Sequence, residues 1–232
     1  MQHIANAKTD LGIRKDKFTR KVRNICLTFL CVLLCLALLT ACAAPRLSAE
    51  KIAAARATYP QFTLPSADQA NCYESRPLAT TQSVQNYYRD AACTAVVTIE
   101  SMESHKAEIL KTETTPGQVV NRLYLNVHVD SIVGENSTAD LGDSVSLYIG
   151  TREALGENVN FSAGTKLVVP ISIPSDGIVF PEKDKFYMCA VELGYYITED
   201  DHILAVYDAP GLKEMEGQTF DAFRSEVKNV AK

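Results

Sequence analysis

The sequence predicts a mainly β fold of the α+β class: a small antiparallel β-barrel or sandwich, with one flanking helix before the first strand and another at the C-terminus. Three observations predict it. About six short runs between residues 93 and 207 are rich in β-branched residues or alternate between apolar and polar ones. Apolar residues recur at helical spacing on both sides of these runs. Hydrophobic residues make up 47% of the chain and charged residues 22%, which is typical of a globular domain.

Two helices are predicted ahead of the sheet. Ser48 is placed to cap a short, Ala-rich helix that ends at Ala55. The second helix lies in "TTQSVQNYYRDAA", where four apolar residues have the i, i+3, i+4, i+7 spacing of one helix face: Val84, Tyr87, Tyr88 and Ala91. The strand "CTAVVTIESM" follows this helix directly.

The next two strands are predicted from alternation, which is typical of strands with one buried face. The apolar face of "RLYLNVHVDSIV" consists of Leu123, Leu125, Val127 and Val129. The other face of the same strand consists of Tyr124, Asn126, His128 and Asp130. The apolar face of "GDSVSLYIG", which opens on a turn, consists of Val145, Leu147 and Ile149.

The remaining strands are predicted from apolar runs. Pro170 in "GTKLVVPISI" cannot donate to a ladder, so it marks an edge or a bulge. The run "KFYMCAVELGYYI" is apolar on both faces, which favours one central strand. A turn at residues 199–201 leads into the last strand, "HILAVY". The C-terminal helix begins after an N-cap at Thr219 and carries an apolar stripe of Phe220, Phe223, Val227 and Val230.

This order of elements resembles that of OB-like barrels in secreted bacterial proteins. The resemblance is carried by the turn Gly142-Asp143, by Phe161 with Gly164 before an apolar strand, and by Phe220 with Phe223. It implies an OB-like fold but no activity, because such barrels host many functions. The nucleic-acid face of that fold needs basic and aromatic residues together, which this acidic body does not offer.

Charge and hydropathy divide the chain into unlike parts. Residues 1–41 carry seven Lys or Arg against two Asp, a net charge of +5; subtracting this from the whole chain's −5 leaves −10 for residues 42–232. An uncharged apolar run, residues 25–44, ends the basic part. Because Lys and Arg stay on the cytoplasmic side of a membrane, we expect the acidic part to lie outside the cytoplasm. Its acidity also argues against a nucleic-acid partner.

The end of the apolar run, "LTAC", resembles the lipobox of bacterial lipoproteins: a branched apolar residue, a small residue, Ala or Gly, then Cys. The resemblance covers residues 1–45. It implies that the Cys42 sulfur carries a diacylglycerol and that signal peptidase II cuts between Ala41 and Cys42. The expected partner of Cys42 is therefore the bacterial cell membrane, since two acyl chains hold a protein there stably, each buried CH₂ contributing about 0.8 kcal/mol.

The same run also permits an uncleaved anchor, because about 20 apolar residues suffice to cross a bilayer as a helix. Cys26, Cys31 and Cys35 are apolar filler in either case, and in an uncleaved anchor Cys42 is a fourth residue of that kind. The basic segment before the run and the small residues after it are typical of a secretory signal.

The chain thus divides into a lipoprotein signal peptide (residues 1–41), a lipid-anchored tether (42–70) and an extracytoplasmic β-rich domain (71–232). The tether is predicted because this segment is rich in Ala, Ser and Pro and has no sustained apolar period. Pro60 and Pro65 interrupt it.

Three cysteines follow the predicted tether: Cys72, Cys93 and Cys189. Cys72 and Cys93 are predicted to form a disulfide, which the extracytoplasmic location permits. On the loop-entropy model it stabilises the domain by about 3 kcal/mol. Cys189 lies in an apolar run and is predicted to be a buried thiol. No zinc-site spacing of Cys or His accompanies them, so no metal and no cofactor is predicted.

No catalytic motif is present. The patterns GxSxG, HExxH, GxxxxGK[ST] and GxGxxG do not occur. His105, His128 and His202 share no motif spacing, and the acidic run "TEDDH" lacks the spacing of a calcium loop. A Ser-His-Asp site built from dispersed residues stays open, because triads assemble in space.

The sequence therefore predicts a cell-envelope lipoprotein whose domain has a non-enzymatic binding or envelope-maintenance role and recruits a protein, peptide or glycan outside the cytoplasm. The strand with the adjacent Tyr195 and Tyr196 is the place to look for a partner contact, since exposed tyrosines suit binding surfaces, whereas packing in the core or at a barrel end is the default expectation for these side chains. Two alternatives stay open. One is an envelope hydrolase with a dispersed site, and the other is a structural protein with an uncleaved transmembrane anchor.

Overall fold

The structure, a computed structural model, describes residues 46–65, 81–109, 117–133, 141–173 and 187–230. These residues form a mainly β fold of the α+β class, a seven-stranded mixed sheet with a few helices. The strands are β1 (Cys93–Ile109), β2 (Gln118–Ile132), β3 (Ser144–Thr151), β4 (Lys166–Ser172), β5 (Tyr187–Cys189), β6 (Tyr195–Ile197) and β7 (Ile203–Ala205). The helices are α1 (Ala49–Ala55), α2 (Thr81–Asp90), α3 (Arg152–Leu155), α4 (Pro210–Lys213) and α5 (Phe220–Val230), with one 3-10 turn at Val191–Leu193.

The strands follow the order β1-β2-β3-β5-β4-β6-β7, and β1 pairs with β4 as well as with β2. The pair β3–β5 is parallel, and the other pairs are antiparallel. The parallel pair departs from the wholly antiparallel sheet that the sequence predicts. The chain passes through β4 before it returns to β5 between β3 and β4, so β5 runs in the same direction as β3.

The β1–β2 hairpin is the longest part of the sheet, with strands of 17 and 15 residues. Its register runs from Ala95 opposite Ile132 to Ile109 opposite Gln118. β4 pairs only with residues 93–98 of β1. Residues 101–109 of β1 therefore extend beyond β4, paired with β2.

The predicted apolar faces of β2 and β3 are confirmed in the core. The most buried side chains on these faces are Leu123, Leu125, Val127, Leu147 and Ile149. Tyr124, on the opposite face of β2, is fully buried as well. The rings of His105 and Tyr148 flank it, each with its centroid 5.5 Å from that of Tyr124.

The prediction of one strand over residues 185–197 is wrong, because its described part is broken into β5, a 3-10 turn and β6, although both strands lie inside the sheet as predicted. Gly194 ends the turn, and a Cβ atom there would lie 2.9 Å from Val169 Cγ1 and 3.0 Å from the Val191 carbonyl oxygen. The backbone thus passes so close to β4 that a side chain does not fit at this position.

Pro170 does not mark a sheet edge, since β4 lies between β1 on one side and β5 and β6 on the other. Its carbonyl accepts a hydrogen bond from Ala190 N at 3.3 Å. The backbone of Pro170 therefore faces the residues next to the 3-10 turn, where the ladder is interrupted. Because the backbone nitrogen of Pro170 faces this interruption, its lack of an N–H removes no hydrogen bond from the regular part of the ladder.

The two predicted helix faces are confirmed, and they pack together with β6. Val84 and Tyr88 of α2 are buried, as are Phe223 and Val227 of α5. The Phe223 ring lies 5.5 Å from that of Tyr88 and 5.2 Å from that of Tyr195, so α5 bridges α2 and the sheet.

The N-caps of α1 and α5 are those that the sequence predicts. The hydroxyl oxygen of Ser48 accepts from Lys51 N at 3.3 Å, and that of Thr219 accepts from Ala222 N at 3.4 Å. Each cap satisfies one of the backbone N–H groups that a helix leaves open at its start.

Residues 46–65, which we call the N-terminal arm, belong to the same structural unit as the sheet. The sequence assigns them to a tether, but the structure places them against the domain through backbone hydrogen bonds and the buried side chain of Phe62. Their aromatic residues find apolar partners there, which a free tether does not offer. The remainder of the predicted tether lies outside the described residues.

Candidate functional site

A polar cluster on the outer side of β1 and β2 is the strongest candidate for a functional surface. It consists of Ser101, Glu103, His105 and Asn126, and we call it the Glu103 surface. The strand register builds it: Ser101 lies opposite Asn126, and Glu103 lies opposite Tyr124. Residues directly opposite each other in an antiparallel pair point to the same face.

Glu103 is the centre of this surface. One of its carboxylate oxygens lies 2.9 Å from Nε2 of His105, and the other accepts a hydrogen bond from the side-chain amide of Asn126. The same amide donates to the Ser101 hydroxyl at 3.0 Å. The side chains of Glu103 and His105 are each 39% exposed, so a ligand can reach both.

The order of these contacts differs from that of a Ser-His catalytic pair. A Ser-His site needs the imidazole in contact with the hydroxyl that it deprotonates. Here His105 contacts Glu103, and Ser101 contacts Asn126. The arrangement offers a carboxylate, an amide, an imidazole and a hydroxyl side by side, which are groups that hydrogen-bond a polar ligand.

The other two histidines of the acidic part lie elsewhere. His128 is exposed on β2, opposite Thr98. Nδ1 of His202 lies 2.8 Å from the carbonyl oxygen of Asp200 in the turn before β7.

The described residues contain no group of three or more His, Cys, Asp or Glu side chains that could hold a metal ion. Cys93 is 2% exposed, and burial raises the pKa of its thiol to about 11. The thiol therefore stays protonated at neutral pH, which is the unreactive form of a cysteine.

The partner contact suggested at Tyr195 and Tyr196 is wrong, because both side chains are buried, and the default expectation of core packing is confirmed. Phe223 covers Tyr195, and Tyr59 of the N-terminal arm packs on Tyr196 with ring centroids 5.5 Å apart. β6 lies between β4 and β7, so its residues meet packed elements on both sides.

The residues of the predicted lipid site, Ala41 and Cys42, lie outside the described residues. Cys72, the predicted disulfide partner of Cys93, lies outside them too, so this bridge stays a prediction. Among the described residues, no helix is both long and apolar enough to cross a membrane.

The N-terminal arm forms a second cluster of contacts, which sequence reasoning missed. Its first described residues are bonded to the segment between α4 and α5: the Arg46 guanidinium donates to the Glu214 carbonyl oxygen, and Leu47 N donates to the Gly217 carbonyl oxygen at 2.7 Å. Gly217 lies at φ +82°, and a Cβ atom there would lie 3.1 Å from Ile52 Cδ1 of α1. The arm thus begins in close contact with this segment.

Arg56 holds the middle of the arm. Its guanidinium is paired with the Glu216 carboxylate and donates to the Ala205 carbonyl oxygen at 2.8 Å. The side chains are 18% and 10% exposed, so the pair is largely removed from water. Burial lowers the pKa of Arg56, and the charge of Glu216 opposes that shift. A mostly buried pair with further hydrogen bonds fixes geometry more strictly than a surface pair.

Phe62 holds the end of the arm. It is 9% exposed, and its ring lies 5.4 Å from that of Phe161 and 5.7 Å from that of Tyr207. Its backbone pairs with the chain after β7, where Phe62 N donates to the Val206 carbonyl and Asp208 N donates to the Phe62 carbonyl. In the sequence, the aromatic residues Tyr59 and Phe62 among the Ala and Pro of this segment are the signal that the segment packs against the domain.

A comparison with protein-family models finds no match for this chain, and a comparison with curated protein sequences finds none either.

Proposed function

We propose that the protein is a lipoprotein of the bacterial cell envelope, anchored in the membrane by a diacylglycerol on Cys42, with its folded part outside the cytoplasm. The observation that carries this proposal is the motif "LTAC" at the exit of the uncharged run, between a basic segment of net charge +5 and an acidic part of −10. The described part of the chain starts within a few residues of that motif, at residue 46.

Partition into a detergent phase tests the anchor. Protein made in a bacterial host should enter the detergent phase, and Cys42→Ala should abolish its lipid labelling. Cys35→Ala is the matched control, because it removes a cysteine from the same apolar run but not from the motif. Equal labelling of both variants contradicts the proposal.

We also propose that five of the strands close into an OB-like barrel. The support is the pairing pattern: β1 pairs with both β2 and β4, β3 pairs with β5, and β5 pairs with β4. A five-stranded barrel of this kind is one way in which a sheet removes its open edges. Nuclear Overhauser contacts between Ala95 and Val169, and between Leu147 and Tyr187, test closure, and the absence of either set contradicts it.

The third part of the proposal is that the domain is a binding module and that the Glu103 surface takes the polar part of a protein, peptide or glycan partner. Its support is the exposed carboxylate–imidazole pair beside an amide and a hydroxyl, on long strands that hold these groups in register. Binding is favoured over hydrolysis by a serine nucleophile because His105 contacts Glu103, while the Ser101 hydroxyl accepts from Asn126.

Hydrogen exchange tests the binding role. Protein in envelope-lipid vesicles is mixed with soluble envelope fragments, and amide exchange is compared with and without them. In the presence of the fragments we expect slower amide exchange at residues 101–105 and 122–126. The double variant Glu103→Gln, His105→Phe should lose this slowing. His128→Ala should keep it, because it changes an exposed histidine of the same hairpin outside the Glu103 surface. Slowing that is absent, or that survives the double variant, contradicts the assignment of this surface.

A further inference from the structure

The start of the N-terminal arm fixes how far the domain can move from an anchor at Cys42. Arg46 and Leu47 are bonded to the segment between α4 and α5, and only residues 43–46 separate Leu47 from Cys42. A chain spans at most about 3.6 Å per residue, so five steps from Cys42 to Leu47 bridge no more than about 18 Å. That reach is shorter than the length of β1, whose 17 residues extend over about 55 Å.

We propose that the surface around Leu47 and Gly217, formed by the start of the arm, α4 and residues 214–217, faces the lipid bilayer and lies next to it. The inference rests on the proposed lipid anchor, to which it adds an orientation. The proposed occupant of this surface is the membrane itself, because only residues 43–45 separate the arm from the lipid-anchored Cys42.

The arm holds its place through contacts along its whole length. Leu47 is bonded to Gly217, Arg56 is paired with Glu216, and Phe62 is packed on Phe161. Undocking the arm would expose an apolar ring and leave a buried carboxylate without its cation, and both changes are unfavourable. The docked arm therefore cannot act as a long flexible tether between membrane and domain.

Two further features agree with a covalent rather than an electrostatic attachment. Residues 42–232 carry a net charge of −10, which repels them from anionic lipids. The charged groups at this surface are of both signs: Lys213 is paired with Asp208 at 2.6 Å, and Glu50 and Lys51 are adjacent residues of α1. The surface has no excess of basic residues to bind lipid by itself.

Energy transfer to labelled lipids tests this orientation. A donor fluorophore is placed at position 213, next to the Arg46 contact, and the lipidated full chain is reconstituted into phosphatidylcholine vesicles that carry acceptor lipid. Lys213 is 55% exposed, so replacing it disturbs the fold little. The matched variant has about 20 Gly/Ser residues inserted between Ala44 and Pro45, which add a mean reach of about 25 Å.

We expect transfer from the native chain to exceed that from the insertion variant at least about twofold, because the added reach lets the domain leave the surface. Arg56→Ala combined with Phe62→Ala, with the fold checked by near-ultraviolet circular dichroism, should lower transfer in the chain without the insertion. Equal transfer from native and insertion chains, both bound to vesicles, overturns the orientation and leaves the anchor intact. A native chain that does not bind vesicles overturns the anchor and the orientation together.

Discussion

Four buried tyrosines join segments that are distant in the sequence. The hydroxyl of each donates to a backbone carbonyl: Tyr88 to Leu193, Tyr195 to Leu212, Tyr196 to Pro60 and Tyr207 to Leu155. These rings supply apolar contact to the core, while their hydroxyls satisfy carbonyl groups of loops and helix ends. At the residue scale, tyrosine therefore has a structural role in this domain.

The burial of these tyrosines predicts a loss of stability in alkali. Burial raises the pKa of Tyr88, Tyr195, Tyr196 and Tyr207. In the unfolded chain a tyrosine titrates near pH 10. Since the folded pKa is the higher one, the folded state keeps protons that the unfolded state loses. The stabilisation is complete below about pH 10 and falls as the pH rises further.

Urea unfolding at pH 8, 9, 10 and 11 measures this effect. We expect a free energy of unfolding that changes little between pH 8 and 9 and falls steeply between pH 10 and 11. In protein whose Cys93 is reduced and not bridged to Cys72, the pKa of its thiol, raised to about 11, adds a smaller fall that starts near pH 9. A free energy of unfolding that does not change up to pH 11 would contradict the buried, neutral tyrosines.

The Arg56–Glu216 pair predicts strong coupling between two residues 160 positions apart. Arg56→Met keeps the apolar stem but leaves the Glu216 carboxylate buried and unpaired, so we expect a loss of about 3 kcal/mol. Glu216→Gln keeps an oxygen acceptor for Ala205 N, which the native carboxylate accepts from at 3.1 Å. The double variant should recover part of the loss.

A double-mutant cycle from urea unfolding gives the coupling energy, expected to be about 2 kcal/mol. The control cycle removes the exposed pair Lys213–Asp208, whose side chains are 55% and 46% exposed. Pairs of that kind couple by about 0.5 kcal/mol or less. Equal coupling in both cycles would show that the arm is not held by a buried pair.

At the scale of the elements, the interruption between β5 and β6 depends on Gly194. Gly194→Ala places a Cβ atom 2.9 Å from Val169 Cγ1, which forces the 3-10 turn away from β4. We expect a loss of about 2 kcal/mol, typical of overpacking in a core. Urea unfolding of the variant measures it.

Gly164→Ala is the comparison for that variant. Gly164 has φ +83° but nothing within 4 Å of its Cβ position, so its substitution costs only backbone strain, about 1 kcal/mol. A smaller loss for Gly194→Ala than for Gly164→Ala contradicts close packing at the turn.

The elements that could be predicted are those whose signal is local. Alternation identifies β2 and β3, helical spacing identifies α2 and α5, and Ser48 and Thr219 are the caps in the sequence and in the structure. The break between β5 and β6 could not be predicted, because it arises from contact between Gly194 and Val169. The burial of Tyr196 likewise depends on Tyr59, far away in the sequence.

The candidate surface likewise has a part that the sequence predicts and a part that depends on contacts between distant residues. The sequence places His105 and Asn126 on strands, but their meeting at Glu103 requires the register of the β1–β2 hairpin. Composition alone predicts that the N-terminal arm is a tether. Its docking depends on partners such as Phe161 and Glu216, which follow it by about 100 and 150 residues.

At the scale of the whole molecule, the segment between α4 and α5, together with Arg56 of the arm, covers a sheet edge. On the side of β7 away from β6, Ile203 exchanges backbone hydrogen bonds with Gly217 and Gln218, and the Ala205 carbonyl accepts from Arg56. Open strand edges invite pairing with other chains, so covering them protects a protein from aggregation. The segment that leads to the proposed anchor thus also completes the fold.

The intact mass of the membrane-extracted protein, measured beside Cys42→Ala, tests the central claim most directly. The lipid anchor predicts a mass that lacks residues 1–41 and gains a diacylglycerol, with both changes lost in the variant. A full-length, unmodified mass that is the same with and without Cys42→Ala, apart from the substituted atoms, would contradict the lipid anchor. The apolar run at residues 25–44 would then be an uncleaved anchor, and Cys42 one of its apolar residues.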